Sequence, residues 1–256
     1  MGRDHVFIDI RNVSKTFQSS EGPVEAIKNI SLSISRGEFV TVVGPSGCGK
    51  STLLGMIAGI TRPTAGNIFL DGVEVKGFNP DKIALMFQDH TLYPWRSALG
   101  NIEFPFEIRG LPSEQRRRES LKYVELVGLR GFENRYPSEL SGGMKQRVAL
   151  ARSLAQGTDV MLMDEPFGAL DEQTRLSLGE ELVNIWKRTK KTIIFVTHRI
   201  FEATSLGDVV VLMSKRPAEV KGIYAVDAPR PRDLTMPSLD QLRNNIWHEL
   251  KAEFVS

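Results

Sequence analysis

Residues 5–13 (HVFIDIRNV) and 24–34 (VEAIKNISLSI) alternate apolar and polar side chains. That period of two predicts a pair of half-buried antiparallel strands, and the intervening 19–23 (SSEGP) has turn composition. The pattern then changes. Residues 38–43 form a mostly apolar run that stops at Gly44, as expected of a strand covered on both faces. Residues 51–58 are short, apolar and compatible with a helix. Four more runs, 83–87, 160–163, 192–196 and 209–213, read as buried strands, with helical stretches between most of them. Buried strands alternating with helices predict an α/β fold built on a mostly parallel sheet, with the N-terminal pair as an antiparallel β subdomain.

Residues 99–155 break the alternation and look helical, with turns at Gly110-Leu-Pro112 and Arg135-Tyr-Pro137. The expected organisation is one domain over 1–256. Its core takes 1–88 and 156–215, an inserted α-helical subdomain takes 89–155, and a tail with a helix takes 216–256. Arg116-Arg117-Arg118 reads as a solvated helix face. A long helix is expected over 171–190, with Leu178, Leu182, Ile185 and Trp186 on one buried face. A segment rich in Pro and Arg (216–232) precedes a final amphipathic stretch over 239–250.

Composition narrows the classes. With 41% hydrophobic and 25% charged residues, the chain is an ordinary globular one rather than a disordered one. Lys plus Arg number 33 against 31 Asp plus Glu, so no global field favours nucleic acid, and no nucleic-acid partner is expected. A single cysteine, Cys48, excludes an intrachain disulfide and fits a reducing compartment. The first residues carry no apolar core of a signal peptide. Nowhere do about 18 apolar residues run together, so any membrane role is peripheral.

The strongest local signal is Gly44-Pro45-Ser46-Gly47-Cys48-Gly49-Lys50-Ser51, which fits G-x-x-x-x-G-K-[ST] between a buried strand and a helix. Its glycines let backbone N–H groups curl around phosphate oxygens, and the helix N-terminus adds partial positive charge. Lys50 supplies a point charge for the β- and γ-phosphates, and Ser51 a hydroxyl for Mg²⁺. A second apolar strand ends in Asp164-Glu165. Asp164 is suited to the Mg²⁺ shell and Glu165 to accepting a proton from an attacking water. This pair alone does not separate a kinase from an ATPase.

Leu140-Ser-Gly-Gly-Met-Lys-Gln-Arg147 separates them: it resembles the signature of ATP-binding cassette (ABC) ATPases, a P-loop NTPase family. The resemblance covers nearly the whole chain. It implies that Phe17 stacks on adenine, that Gly44–Thr52 bind nucleotide, and that Gln88 reaches Mg²⁺ or the attacking water. It also implies that Gly168-Ala-Leu-Asp171 forms the D-loop and that His198 senses the γ-phosphate. Ser141, Gly142 and Gly143 would close over the nucleotide of a second chain, making a homodimer with two shared ATP sites. Arg199 and Phe201 depart from positions that are often acidic in the family.

Pro94-Trp95 after Gln88, Met213-Ser-Lys-Arg-Pro217 and Pro229-Arg-Pro-Arg-Asp233 resemble ATPase subunits of the nitrate/sulfonate/taurine importer group, although Tyr93 departs from a more usual Leu. This implies an ATP-hydrolysing subunit at the cytoplasmic face of the inner (plasma) membrane. It would work with integral-membrane permease subunits and, indirectly, a solute-binding protein. Residues 89–110, carrying Tyr93, Trp95, Phe104 and Phe106, are the expected permease-docking segment, unless Trp95 is packed inside the subdomain. The other reading is a soluble ABC ATPase acting on nucleic acid or ribosomes.

Overall fold

The computed structural model describes residues 6–20, 22–89 and 91–255, with the side chains of 254 and 255 not described. Position 5 of the first expected strand, position 21 of the expected turn and position 90 of the expected docking segment lie outside the described residues. Along the chain run β1 (Val6–Ser19), β2 (Gly22–Ser35), β3 (Phe39–Val43), α1 (Lys50–Ile57), β4 (Ala65–Leu70), β5 (Val73–Glu74) and β6 (Ile83–Met86). Then follow α2 (Ala98–Ile108), α3 (Ser113–Leu126), α4 (Gly142–Ala155), β7 (Val160–Asp164), α5 (Glu172–Thr189) and β8 (Thr192–Thr197). The last elements are α6 (Ile200–Leu206), β9 (Val209–Met213), β10 (Val220–Ala225) and α7 (Pro237–Val255).

These elements divide into two compact units, 1–79 with 190–256, and 80–189. In the first unit, β1 pairs antiparallel with β2 and with β4, and β4 with β5. The first hairpin is tighter than its sequence implied: Ser19 pairs with Gly22, so both strands continue into the expected turn. Gly22 makes this feasible, with φ at 115°, a region open to a residue without Cβ.

The same unit holds the run β10-β9-β3-β8, in which β3 lies parallel to both β8 and β9 and β10 turns back antiparallel to β9. All five residues of β3 are buried, as are all six of β8. An apolar cluster joins Val43, Val210 and Leu212 to Leu239, Ile246 and Leu250 of α7, so the amphipathic stretch read in the tail covers the strands that lead to the phosphate loop.

In the second unit, β6 and β7 pair in parallel and α2, α3, α4 and α5 surround them in sequence. Leu178, Leu182, Ile185 and Trp186 are buried along one face of α5, the stripe expected from their spacing. Residues 91–97 are not helical; α2 begins where Ser97 Oγ accepts from the Gly100 N–H at 3.1 Å, an ordinary N-cap. The arginines of α3 are largely solvated, with Arg116 reaching back to the Leu111 carbonyl.

Candidate nucleotide site

In the first unit, the buried strand β3 ends at Val43 and the chain turns through Gly44–Gly49 into α1. Gly44 is required by packing: a Cβ there would lie 2.8 Å from the Met213 carbonyl oxygen and 3.2 Å from Met213 Cβ. Gly49 is required by its backbone, with φ at 129°, and a Cβ would meet the Ala26 carbonyl and Ile27 Cδ1 at 3.0 Å. Gly47 also has positive φ, but nothing lies near its would-be Cβ, so the loop tip is open there, next to exposed Ser46 and beyond half-buried Pro45. No side chain caps the start of α1. The first-turn N–H groups, those of Ser51 and Thr52 among them, lack intrahelical acceptors by construction. A glycine-rich loop that runs into an uncapped helix start is suited to hold an anion.

Lys50 is 4% exposed, and its Nζ donates to the carbonyls of Gly44 at 3.0 Å and Pro45 at 2.8 Å. The ammonium is thus held inside the curl of the loop. Arg216 adds a second cation at the rim, donating to the Gly47 carbonyl at 2.8 Å. The sequence marked Arg216 only as part of a subgroup motif. Its neighbour Ala218 exchanges backbone hydrogen bonds with Ala26 and Lys28 of β2, which places the 214–219 loop beside the phosphate loop. Cys48 is buried. Burial pushes its thiol pKa up, against the opposing pull of Lys50, so the sulfur is a protonated filler rather than a reactive group.

His198 follows the end of β8 and is exposed. The Thr197 hydroxyl sets this corner: it is bonded to the Glu202 carboxylate and accepts from the Arg199 N–H at 3.1 Å. Phe17, on β1, is 42% exposed rather than packed in the core. The Lys15 ammonium lies 4.9 Å from its ring centroid, a cation–π arrangement that holds the ring at the surface.

In the second unit, β7 delivers Asp164 and Glu165, both half-buried, at its C-terminal end. Glu165 has φ at 43°, a left-handed conformation that costs a non-glycine residue about 1–2 kcal/mol. Such strain survives only where neighbours enforce it, and it gathers at functional positions. Here the Gly168 N–H returns to the Glu165 carbonyl at 3.0 Å. Gln88, just beyond β6, lies in the same cluster: a Cβ on Gly168 would be 3.7 Å from Gln88 Nε2 and 4.0 Å from Glu165 Oε2. Both side chains thus lie beside Gly168.

Asp171 ends that segment as the N-cap of α5, its Oδ1 accepting from the Thr174 N–H at 2.9 Å. The Thr174 N–H and hydroxyl hold its carboxyl below the usual range. Ser141 does the same for α4, accepting from the Met144 N–H at 3.3 Å. That leaves the amides of Gly142 and Gly143 as first-turn donors. Gly143 is dictated by closeness, since a Cβ would come within 2.8 Å of Thr174 Cγ2, and Leu170 lies 3.8 Å from the equivalent point on Gly142. The signature thus sits against the 168–174 segment. Within each unit the expected residues are gathered: Gly44–Thr52 in one cradle, Gln88 with Glu165 and Gly168, and Ser141–Gly143 with Leu170 and Thr174.

The segment after Gln88 carries an aromatic group. Tyr93 lies 4.6 Å from Phe104 and 5.7 Å from Trp95, centroid to centroid. Trp95 is 71% exposed, which removes the alternative of a packed core tryptophan. Fully buried Asn101 builds this turn, accepting from the Tyr93 N–H at 2.8 Å and donating to the carbonyls of Tyr93, Arg96 and Ser97 at 3.0–3.2 Å.

The model of the ABC transporter family matches residues 27–168, which span the phosphate loop, the signature and Asp164-Glu165. The chain belongs to the ABC ATPase family. ATP is its nucleotide and ATP hydrolysis its reaction. An uncharacterized ABC transporter ATP-binding protein of Methanocaldococcus jannaschii is 47% identical, covering 98% of this chain and 94% of that protein. The aliphatic sulfonates import ATP-binding protein SsuB of Bacillus thuringiensis is 42% identical over 95% of this chain and 96% of its own length. The nitrate import ATP-binding protein NrtD of Synechococcus elongatus is 43% identical over 97% and 93%. Among solved structures, an ATP-binding cassette described as a dimer in a post-hydrolysis state with ADP and Pi superposes with a TM-score of 0.77. It is 33% identical and covers 87% of this chain and 100% of that one. The cassette thus has the ABC ATPase fold expected from its motifs. Among the described residues, no helix is long and apolar enough to cross a membrane.

Proposed function

We propose that this ATPase energises a small-solute importer of the nitrate/sulfonate/taurine type, working as a homodimer at the cytoplasmic face of the membrane beneath separate permease subunits fed by a solute-binding protein. The observation that carries this reading is the exposed Trp95 in a turn hydrogen-bonded by Asn101, seven residues after Gln88. A surface aromatic on a fixed base is a natural docking anchor, and its covalent link to Gln88 ties it to the nucleotide. Full-length similarity to sulfonate and nitrate import proteins supports the same subgroup.

In this reading the Gly44–Thr52 cradle binds the phosphates, Lys50 neutralises the β- and γ-phosphates, and Phe17 stacks on adenine. Glu165 takes the proton of the attacking water, which Gln88 helps to orient, and His198 senses the γ-phosphate. Ser141, Gly142 and Gly143 offer a hydroxyl and two amides to the γ-phosphate of the partner's nucleotide, with Asp171 closing the D-loop beside them. The donors assigned to the cation, the Ser51 hydroxyl, the Gln88 carbonyl and the Asp164 carboxylate, are all hard oxygens and fit Mg²⁺. Bound there, Mg²⁺ would neutralise phosphate charge. Glu165→Gln tests the central role: it keeps shape while removing basicity, so turnover should fall about 10²-fold or more while ATP binding survives. Near-normal turnover in that variant would refute the assignment.

A further inference from the structure

Arg175 has no role in the functions assigned so far. It lies on α5, is 6% exposed, and spends its whole guanidinium on one short segment. Its Nε donates to the Phe167 carbonyl at 3.2 Å, its Nη2 to the Leu170 carbonyl, and its Nη1 pairs with Glu172. Its backbone N–H returns to the Asp171 carbonyl at 3.0 Å. The clamped stretch starts at the left-handed Glu165, contains Gly168 against the Gln88 and Glu165 side chains, and ends at Leu170 and Thr174 against Gly142 and Gly143. One planar five-donor group therefore fixes the connection between the candidate base and the signature amides.

We propose that Arg175 is a positioning residue for ATP hydrolysis, holding the Glu165–Asp171 segment so that Glu165 and the start of α4 keep their working geometry. This rests on the reading of Glu165 as the base. The guanidinium is the right group because a fork can satisfy two backbone carbonyls and a carboxylate at once. An ammonium is a point charge and cannot match that plane. A conservative Lys therefore retains charge and most of the buried stem but loses the geometry. Arg175 lies in a different compact unit from the phosphate loop, so nucleotide affinity is a control that the proposal leaves unmoved.

The experiment compares full-length wild type, Arg175→Lys, Arg175→Ala and Glu165→Gln. It reads thermal midpoint, equilibrium binding of a fluorescent ATP analogue, kcat and KM. It also reads ATP-driven dimer formation, by sedimentation, of Arg175→Lys combined with Glu165→Gln. Arg175→Lys should keep its thermal midpoint and ATP affinity near wild type. Its kcat should fall about tenfold, and less dimer should form than with Glu165→Gln alone. Arg175→Ala should fall further. Should it fail to fold, the Lys variant still decides. Wild-type kcat in Arg175→Lys, or a loss of kcat that merely tracks lost folded protein or weakened ATP binding, overturns the proposal. If Glu165→Gln itself retains turnover, the base assignment has failed separately. A tenfold fall in Arg175→Lys then still supports positioning of the segment, and an unchanged kcat overturns it.

Discussion

Replacing Trp95 with alanine separates docking from stability, because the structure makes the two costs very different. The indole is 71% exposed and lies beside Tyr93, at 5.7 Å between ring centroids. Losing one such aromatic pair costs about 0.5–1.5 kcal/mol. For a chain of this size that is a fall in thermal midpoint of roughly 1–6 °C. The Asn101 bonds that shape the turn all go to backbone atoms of residues 93–97 and survive the change, so basal ATP turnover should be near normal. At an interface, by contrast, an anchoring tryptophan is worth about 2 kcal/mol or more, which is about thirtyfold in dissociation constant. The assay is co-purification with the permease and solute uptake in cells, beside a melting curve and ATPase rates of the isolated variant. Docking predicts a folded, active ATPase that no longer binds its permease or supports uptake. A stable variant that binds permease and transports normally would refute the role of this turn. A loss of far more than 6 °C would refute the packing estimate.

Three further outcomes follow from the site. A mixture of Ser141→Arg and Lys50→Ala chains should regain hydrolysis above either variant alone, since a shared-site dimer contains one intact site; a mixture no more active than its parts argues against shared sites. Cys48, with its thiol pKa raised by burial, stays protonated through neutral and mildly alkaline pH, so alkylation should be slower than for a free cysteine and should accelerate on unfolding, as mass spectrometry would register. Gly44→Ala drives a methyl to within 2.8 Å of the Met213 carbonyl, an overpacking of about 1–3 kcal/mol that should appear as both a lower thermal midpoint and weaker ATP binding.

What the sequence made legible was what is local. The phosphate loop, β3 and the α5 stripe are encoded in consecutive or periodically spaced residues, and they lie where the pattern put them. Several elements were missed for definite reasons. In β4 only Ile68 is fully buried and Gly66 interrupts the run, so it carried little apolar signal, although Asp71-Gly72 is a hairpin dipeptide. β10 alternates half-buried and exposed residues but places Ile223 on the exposed side, which blurs the period. The second arginine at the phosphate loop and the Arg175 clamp depend on side chains reaching backbone carbonyls, which no hydrophobic pattern records. Arg175 left one faint trace, its spacing of four from the capping Asp171. The left-handed backbone of Glu165 left none, since a glutamate there gives no conformational cue.

The apolar cluster that seats Val43 against Leu239, Ile246 and Leu250 has a consequence for synthesis. Roughly 200 residues separate the strand from the helix that covers it, so at 5–20 residues per second the ribosome makes the helix about 10–40 s after the strand. The unit spanning 80–189 is continuous and can fold while translation proceeds. The unit that carries the phosphate loop is assembled from both ends of the chain and must wait. Throughout that interval Val43, at the end of the uncharged β-prone segment Phe39–Val43, lacks the cover that Leu239, Ile246 and Leu250 later give it, and segments of that kind seed aggregation. The burden of keeping this ATPase soluble therefore falls on the period before its last helix is translated, and substitutions in 239–250 should lower yield through the nascent chain more than through the finished protein.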